Sequence, residues 1–372
     1  MTGFKKLAFL WSYSLVAVIL FSYYLFGGGY WTFAGLIYAY GIIPILDEIV
    51  GRDPNNVTHD QFEQLTQDIY FDILVYSMVY LQWGVLIWAG YVLTFDGLNS
   101  LQMVGLLLSI GVFNSGGINI GHELGHRKSL LAQWHSQAIL MTVSYMHFFI
   151  EHNKGHHVHV ATPLDPATSH KNQTVYSFWI QSIIGGWFSA WNIEKQRLER
   201  ASQKVWSFRN AMIWYVILPI VLCLVLTLAY GSQSITMYWL MPVFFVMQSI
   251  IAFCSLECVN YIEHYGIVRR EIAPNKYERV NPLHSWNANH FVSNLVLFQL
   301  QRHSDHHAFA ARPYQVLRHF DESPQLPFGY PVMIILSMIP PLWFKVMNKR
   351  LEDWQAKAYD AEHINQVVKV FA

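Results

Sequence analysis

The stretch LQMVGLLLSIGVFNSGGINIGHELGH, Leu101–His126, decides the fold. Leu101–Ile120 carries no charge and is long enough to cross a bilayer, which takes about 20 apolar residues. A histidine pair, His122 and His126, follows at once. The chain therefore reads as a membrane helix that ends in metal-binding chemistry.

Five more apolar segments are long enough to span: Leu7–Phe26, Tyr30–Val50, Phe71–Phe95, Met212–Tyr230 and Tyr238–Val259. The first is too long and too aromatic for a cleaved signal peptide and lacks a small-residue cleavage site. The composition agrees: 53% of the 372 residues are hydrophobic and 13% charged, against about 25% charged in soluble domains. Net charge is zero, so nothing points to nucleic acid. The three cysteines, Cys223, Cys254 and Cys258, sit in apolar runs without a CxxC pair and read as small buried hydrophobes.

Two further segments are ambiguous. Leu130–Ile150 is long enough to cross but contains Gln133, His135, Gln137 and His147; Pro331–Val346 is short and carries Pro340 and Pro341. Charge arbitrates. With six spans in three hairpins, the outer turns Gly27–Gly29, Asp96–Ser100 and Gly231–Ser234 hold no Lys or Arg, so all 24 basic residues fall on one side. That is the positive-inside pattern. A crossing at Leu130–Ile150 would break it, so this segment is expected to be interfacial or re-entrant, and Pro331–Val346 to lie against the membrane face. The expectation is one all-α, membrane-embedded catalytic domain of six transmembrane helices. A cytoplasmic helical cap, about 121–210 and 260–372, carries the metal site, with both termini on the cytoplasmic side.

Histidine is the anomaly: there are 18, most in short clusters. The clusters are His122-Glu-Leu-Gly-His126; Glu151-His152-Asn-Lys-Gly-His156-His157; Asn260-Tyr-Ile-Glu263-His264-Tyr-Gly266; and Gln301-Arg302-His303-Ser-Asp305-His306-His307. On a helix, residues three or four apart share a face. His122 with His126, His152 with His156, and His303 with His307 could each chelate one metal, while His157 and His306 could reach a second. Nine imidazoles exceed what one ion can use, so two metals are expected. Glu123, Glu151, Glu263 and Asp305 each neighbour a histidine in sequence and are expected to back ligands rather than bind metal. His147, His159, His284 and His290 are placed outside the ligand set; His59, His135, His170, His319 and His363 are given no role. HExxH alone would suit a zinc protease, but three more clusters argue against one zinc, and histidine-bound redox metal, iron above all, suits dioxygen.

HELGHR, EHNKGHH, NYIEHYG and LQRHSDHHA together resemble the motif set of membrane-bound alkane 1-monooxygenases. The likeness extends through ATPLDPAT (Ala161–Thr168), QKVWSF (Gln203–Phe208) and NHFVSNLVLFQLQRH (Asn289–His303), and covers roughly Tyr30 to Met347. The resemblance implies a bacterial inner-membrane enzyme with two iron ions held by His122, His126, His152, His156, His157, His264, His303, His306 and His307. It implies terminal hydroxylation of linear alkanes, dissolved in membrane lipid, with O2 as co-substrate and electrons from rubredoxin, itself reduced by an NAD(P)H-dependent rubredoxin reductase. No cysteine-rich rubredoxin domain follows, so the donor is expected to be a separate chain. Basic residues such as Arg269, Arg270, Lys276 and Arg312 are candidates for steering it. A position in the second span gates chain length in this family; matching Tyr40-Gly41-Ile-Ile-Pro44 puts Ala39 there. Gly35 and Ala39, four apart, also fit a helix-packing seam. Rival readings are a fatty-acyl desaturase, an arene methyl hydroxylase, a zinc intramembrane protease and a metal transporter.

Overall fold

The computed structural model describes residues 1–358 together with 362 and 366; His363, given no role above, and most of the cap beyond 358 lie outside the described residues. Six helices are long and apolar enough to cross a membrane: Gly3–Leu25, Gly29–Val50, Ile69–Phe95, Ser100–Gly125, Ala211–Gly231 and Met237–His264. They are taken here as the first to sixth spans. Polar side chains start several of them. Asp68 accepts from Tyr70 N, and Asn99 forms a capping box with Gln102, satisfying N–H groups that a helix start leaves open.

The fourth and sixth spans run on past the expected ends at Ile120 and Val259, to Gly125 and His264. The backbone keeps its hydrogen bonds after the apolar pattern stops. His122 and His264 therefore sit on the last turns of spans and not in a separate cap.

The ambiguous Leu130–Ile150 is re-entrant. The helix Leu130–Met141 descends to the middle of the bundle, where Trp83 Nε1 donates to Ala138 O at 3.1 Å. There Gln82 Nε2 donates to Thr142 Oγ1 at 2.6 Å and Gln248 Nε2 to Thr142 O at 2.9 Å. The chain turns back through Ser144, at φ 51°, and rises as Phe148–Glu151. At the turn, Thr142 is thus satisfied by two buried amides, as backbone at membrane depth requires, while Gln133 and Gln137 donate to carbonyls of Arg127 and Gln133.

Pro331–Val346 resolves into helices Tyr330–Ser337 and Pro340–Ala358. The second buries Trp343, Met347 and Leu351, with Trp343 against Tyr261 of the sixth span at a centroid distance of 5.0 Å. The amphipathic helix Val175–Arg200, not singled out in the sequence, buries Phe178, Ser182, Gly186 and Ala190 and exposes Ile180, Ile184 and Phe188. A hairpin of two short strands, Glu271–Ala273 and Lys276–Tyr277, is the β structure among the described residues.

Candidate metal centre

The nine clustered histidines meet at the C-terminal ends of the fourth and sixth spans. Their ligand atoms form two groups: His122, His126, His152, His157 and His306; and His156, His264, His303 and His307. Within each group the atoms lie within 4.8 Å of one another. The inward atoms are Nε2: His122 to His306 at 2.8 Å, His152 to His157 at 2.9 Å, His303 to His307 at 2.8 Å and His264 to His303 at 3.2 Å. Nitrogens about 2 Å from an ion sit about 3–4 Å apart, so both groups fit a bound metal. His126 Nε2 is buried without a hydrogen-bond partner, a further sign of an atom aimed at an ion.

One pairing differs from expectation. His152 and His156 do not share a metal position. Residues His152–His156 form a π-helix, whose i→i+5 bonding widens the turn. His152 therefore aligns with His157, while His156 Nε2 turns to His307 at 3.2 Å. An i,i+4 reading assumes an α-helix and cannot see this.

Arg302 fixes the short helix His303–Ala308. Its guanidinium donates to Leu317 O at 2.7 Å, Asp53 O at 3.0 Å and Asn55 O at 3.1 Å, tying three of the clustered histidines to the loop after the second span. Gly266 ends the sixth span at φ 70°, where a Cβ would lie 2.3 Å from Leu351 Cδ2, which accounts for glycine two residues after His264.

Burial holds His152, His157, His303, His306 and His307 well below the usual imidazole range, neighbouring histidines adding to it; burial takes His126 to about 3. Neutral rings are the metal-binding form. His156 differs. Burial opposes its charge, but Asp165 outweighs burial and raises it. Asp165 Oδ2 lies 2.9 Å from His156 Nδ1 and accepts from Thr168 Oγ1 at 2.6 Å. This carboxylate was missed because it neighbours no histidine in sequence. Its one signal is its place in ATPLDPAT.

The four acids chosen for neighbouring histidines part company. Glu123 meets Arg127 at 3.3 Å, and Asp305 is held by Arg312 at 2.8 Å and Arg318 at 3.0 Å. Glu151 is buried with Ser189 at 3.5 Å, and burial raises it to about 8. Glu263 alone turns an oxygen to a clustered histidine: Oε2 lies 3.1 Å from His303 Nε2. Of the histidines placed outside the ligand set, His147 packs on Tyr145 and Trp187, His284 pairs with Glu278, and His290 lies 4.0 Å from Glu48. His159 lines a surface cleft. His59 and His170 are exposed, His135 meets Tyr80 Oη at 2.8 Å, and His319 is spent on Asn289 and Asp321.

An apolar cavity adjoins this layer. Val112, Phe113, Leu256 and Ala39 line it, and Asn119, one turn before His122, and Tyr330 line it too. Leu36 N donates to Ser109 Oγ at 3.2 Å. The second and fourth spans run in the same direction, so Ala39 lies at the depth of Val112 and Phe113. Gly35 is the packing seam: a Cβ there would lie 2.7 Å from Ile19 and 2.9 Å from Ser109. Ala39 faces the cavity.

A family described as fatty acid desaturase matches residues 98–337. Alkane 1-monooxygenase 2 of Alcanivorax borkumensis is 43% identical over 87% of this chain and 83% of its own length. Alkane 1-monooxygenase of Pseudomonas putida is 42% identical over 88% and 80%. The hydroxylase component of xylene/toluene monooxygenase of Pseudomonas putida is 28% identical over 89% and 85%. With two histidine groups, six spans and these likenesses together, the chain belongs to the fatty acid desaturase family and, within it, to the alkane 1-monooxygenases.

Proposed function

We propose that this protein hydroxylates the terminal carbon of linear alkanes, with O2 and two electrons, at two iron ions. The observation that carries it is an apolar cavity lined by Asn119, one turn before His122, and by Tyr330, beside two largely buried groups of histidine nitrogen. The protein works as one membrane-embedded catalytic domain. His122, His126, His152, His157 and His306 hold one iron; His156, His264, His303 and His307 hold the other. Iron bound there supplies the activation of dioxygen. The chain's own task is geometric. Terminal C–H bonds are stronger than internal ones, so selectivity needs a channel that presents a chain end and excludes water. The drop from 43% to 28% identity favours an alkane over an arene. A single-zinc protease would leave half the histidines unused, and a transporter would place its ligands near mid-membrane.

Electrons come from a separate acidic rubredoxin, reduced by its NAD(P)H-dependent reductase. A cleft reaches His157 and His307 from the surface, and exposed Lys276 and Arg279 line it. Arg269 is buried on Val158 O, Arg270 pairs with Glu278, and Arg312 pairs with Asp305; these serve the fold first. The positive-inside pattern supports a reading with this face and both termini on the cytoplasmic side, and the bacterial relatives support an inner membrane. The test is product analysis with octane and hexadecane, rubredoxin, reductase and NADH. 1-Alkanols are the expected products; unsaturated products, or none, would reject the reading.

A further inference from the structure

We propose that Glu263 is the oxygen ligand of the four-histidine metal position and that Tyr330 holds it there. The proposal rests on the two-metal reading above and deepens it. The two groups are unequal, with five nitrogen donors against four. Glu263 stands beside the smaller one. Both Glu263 and Tyr330 are 0% exposed. Tyr330 Oη donates to Glu263 Oε1 at 2.7 Å, which leaves Oε2 free to face the histidines. Oε2 lies 3.1 Å from His303 Nε2, without hydrogen-bond geometry. His303 Nε2 is itself 3.2 Å from His264 Nε2 and 2.8 Å from His307 Nε2. A carboxylate oxygen thus stands beside one of the four nitrogens, just outside the set that lies within 4.8 Å of one another, and as a ligand it closes on that set when the ion binds.

Charge requires something of this kind. A divalent ion held only by neutral imidazoles leaves its full charge buried, and buried charge is costly unless paired. Glu123 and Asp305 are already neutralised by arginines. Among the described residues, Glu263 has no Lys or Arg partner. Asp165 puts one negative charge behind His156; the buried Glu263 carboxylate puts a second on the Nε2 side, beside His303. Tyr330 is a positioning residue, and a well-fixed one: its backbone N donates to Gln301 Oε1 at 3.0 Å, and Gln301 Nε2 donates to Ser293 Oγ at 2.8 Å. Tyr330 also lines the apolar cavity, so one side chain touches both the alkane's space and the oxygen ligand.

The experiment is Mössbauer spectroscopy of anaerobic, ⁵⁷Fe-loaded ferrous protein, with iron counted per chain. Wild type should give two doublets of equal area, one for each donor set. Glu263→Gln should shift or deplete one doublet and spare the other. Tyr330→Phe keeps the ring and loses only the hydroxyl. It should move the same doublet and ease chelator removal of that iron about 10-fold, as lost outer contacts do. If Glu263→Gln fails to fold, Tyr330→Phe decides alone. Glu257→Gln, a buried acid bonded to Tyr145, Ser182 and Asn260, should leave both doublets in place. Two unchanged doublets in Glu263→Gln and Tyr330→Phe, or an equal shift in Glu257→Gln, would overturn the ligand. A wild type without an iron pair would overturn the underlying reading instead.

Discussion

His152 Nε2 and His157 Nε2 meet at 2.9 Å across five positions of sequence, while His156, one residue nearer, faces the other metal position. The pairing sets the first prediction. His152→Ala and His157→Ala should perturb the same iron, and His156→Ala the iron also perturbed by His264→Ala. Spectroscopy on ⁵⁷Fe-loaded variants reads this directly. A shared effect of His152→Ala and His156→Ala would mean an α-helical turn and refute the π-helix assignment.

Loss of a central ligand should be complete and loss of an isolated histidine silent. His303→Ala is expected to abolish hydroxylation and lower iron content. His59→Ala, exposed on the short helix His59–Thr66, should match wild type. Equal activity of the two variants would sink the ligand assignment.

Asp165 orients His156 through its Nδ1 atom. Asp165→Asn should weaken iron retention at that position by about 10-fold or more, the usual cost of losing such a partner. Chelator titration of the iron-loaded protein measures it. Retention equal to wild type would leave Asp165 as a turn residue only, since it also caps Ala167 N at 3.0 Å.

Ala39 bears on chain length. It lines the cavity at the depth of Val112 and Phe113, several helical turns from His122. Ala39→Trp should keep turnover of octane and lose that of hexadecane, measured by product chromatography. Loss of both together would make Ala39 a packing residue like Gly35. Unchanged turnover of both would remove it from substrate selection.

Arg302 joins two distant parts of the chain through carbonyl oxygens of Asp53, Asn55 and Leu317. Arg302→Leu leaves the buried Leu317 O unpaired and frees the loop carbonyls of Asp53 and Asn55, and should cost about 3 kcal/mol of stability. The thermal midpoint of detergent-solubilised protein should fall, and iron should be lost with it. An unchanged midpoint would show that the loop holds without the guanidinium.

The sequence by itself determined the number of spans, their approximate bounds and the identity of the nine clustered histidines. Those signals are local: an apolar run has a length, and a motif has a spacing. Charge distribution also kept Leu130–Ile150 from being read as a seventh crossing. Tertiary structure alone decided the rest. Which histidines group together depended on a π-turn, which no residue pattern in Glu151–His157 announces. Which acid is left beside the histidines depended on where arginines lie: Arg127 claims Glu123 from four residues on, Arg312 and Arg318 fold back onto Asp305, and Glu263 is left to His303. Asp165 reached His156 only because the chain folds back between them. Ala39 and Gly35 share a helix face and differ only in what stands opposite, a cavity for one and Ile19 with Ser109 for the other. Spacing fixes direction from a helix axis. The partner found in that direction belongs to the fold.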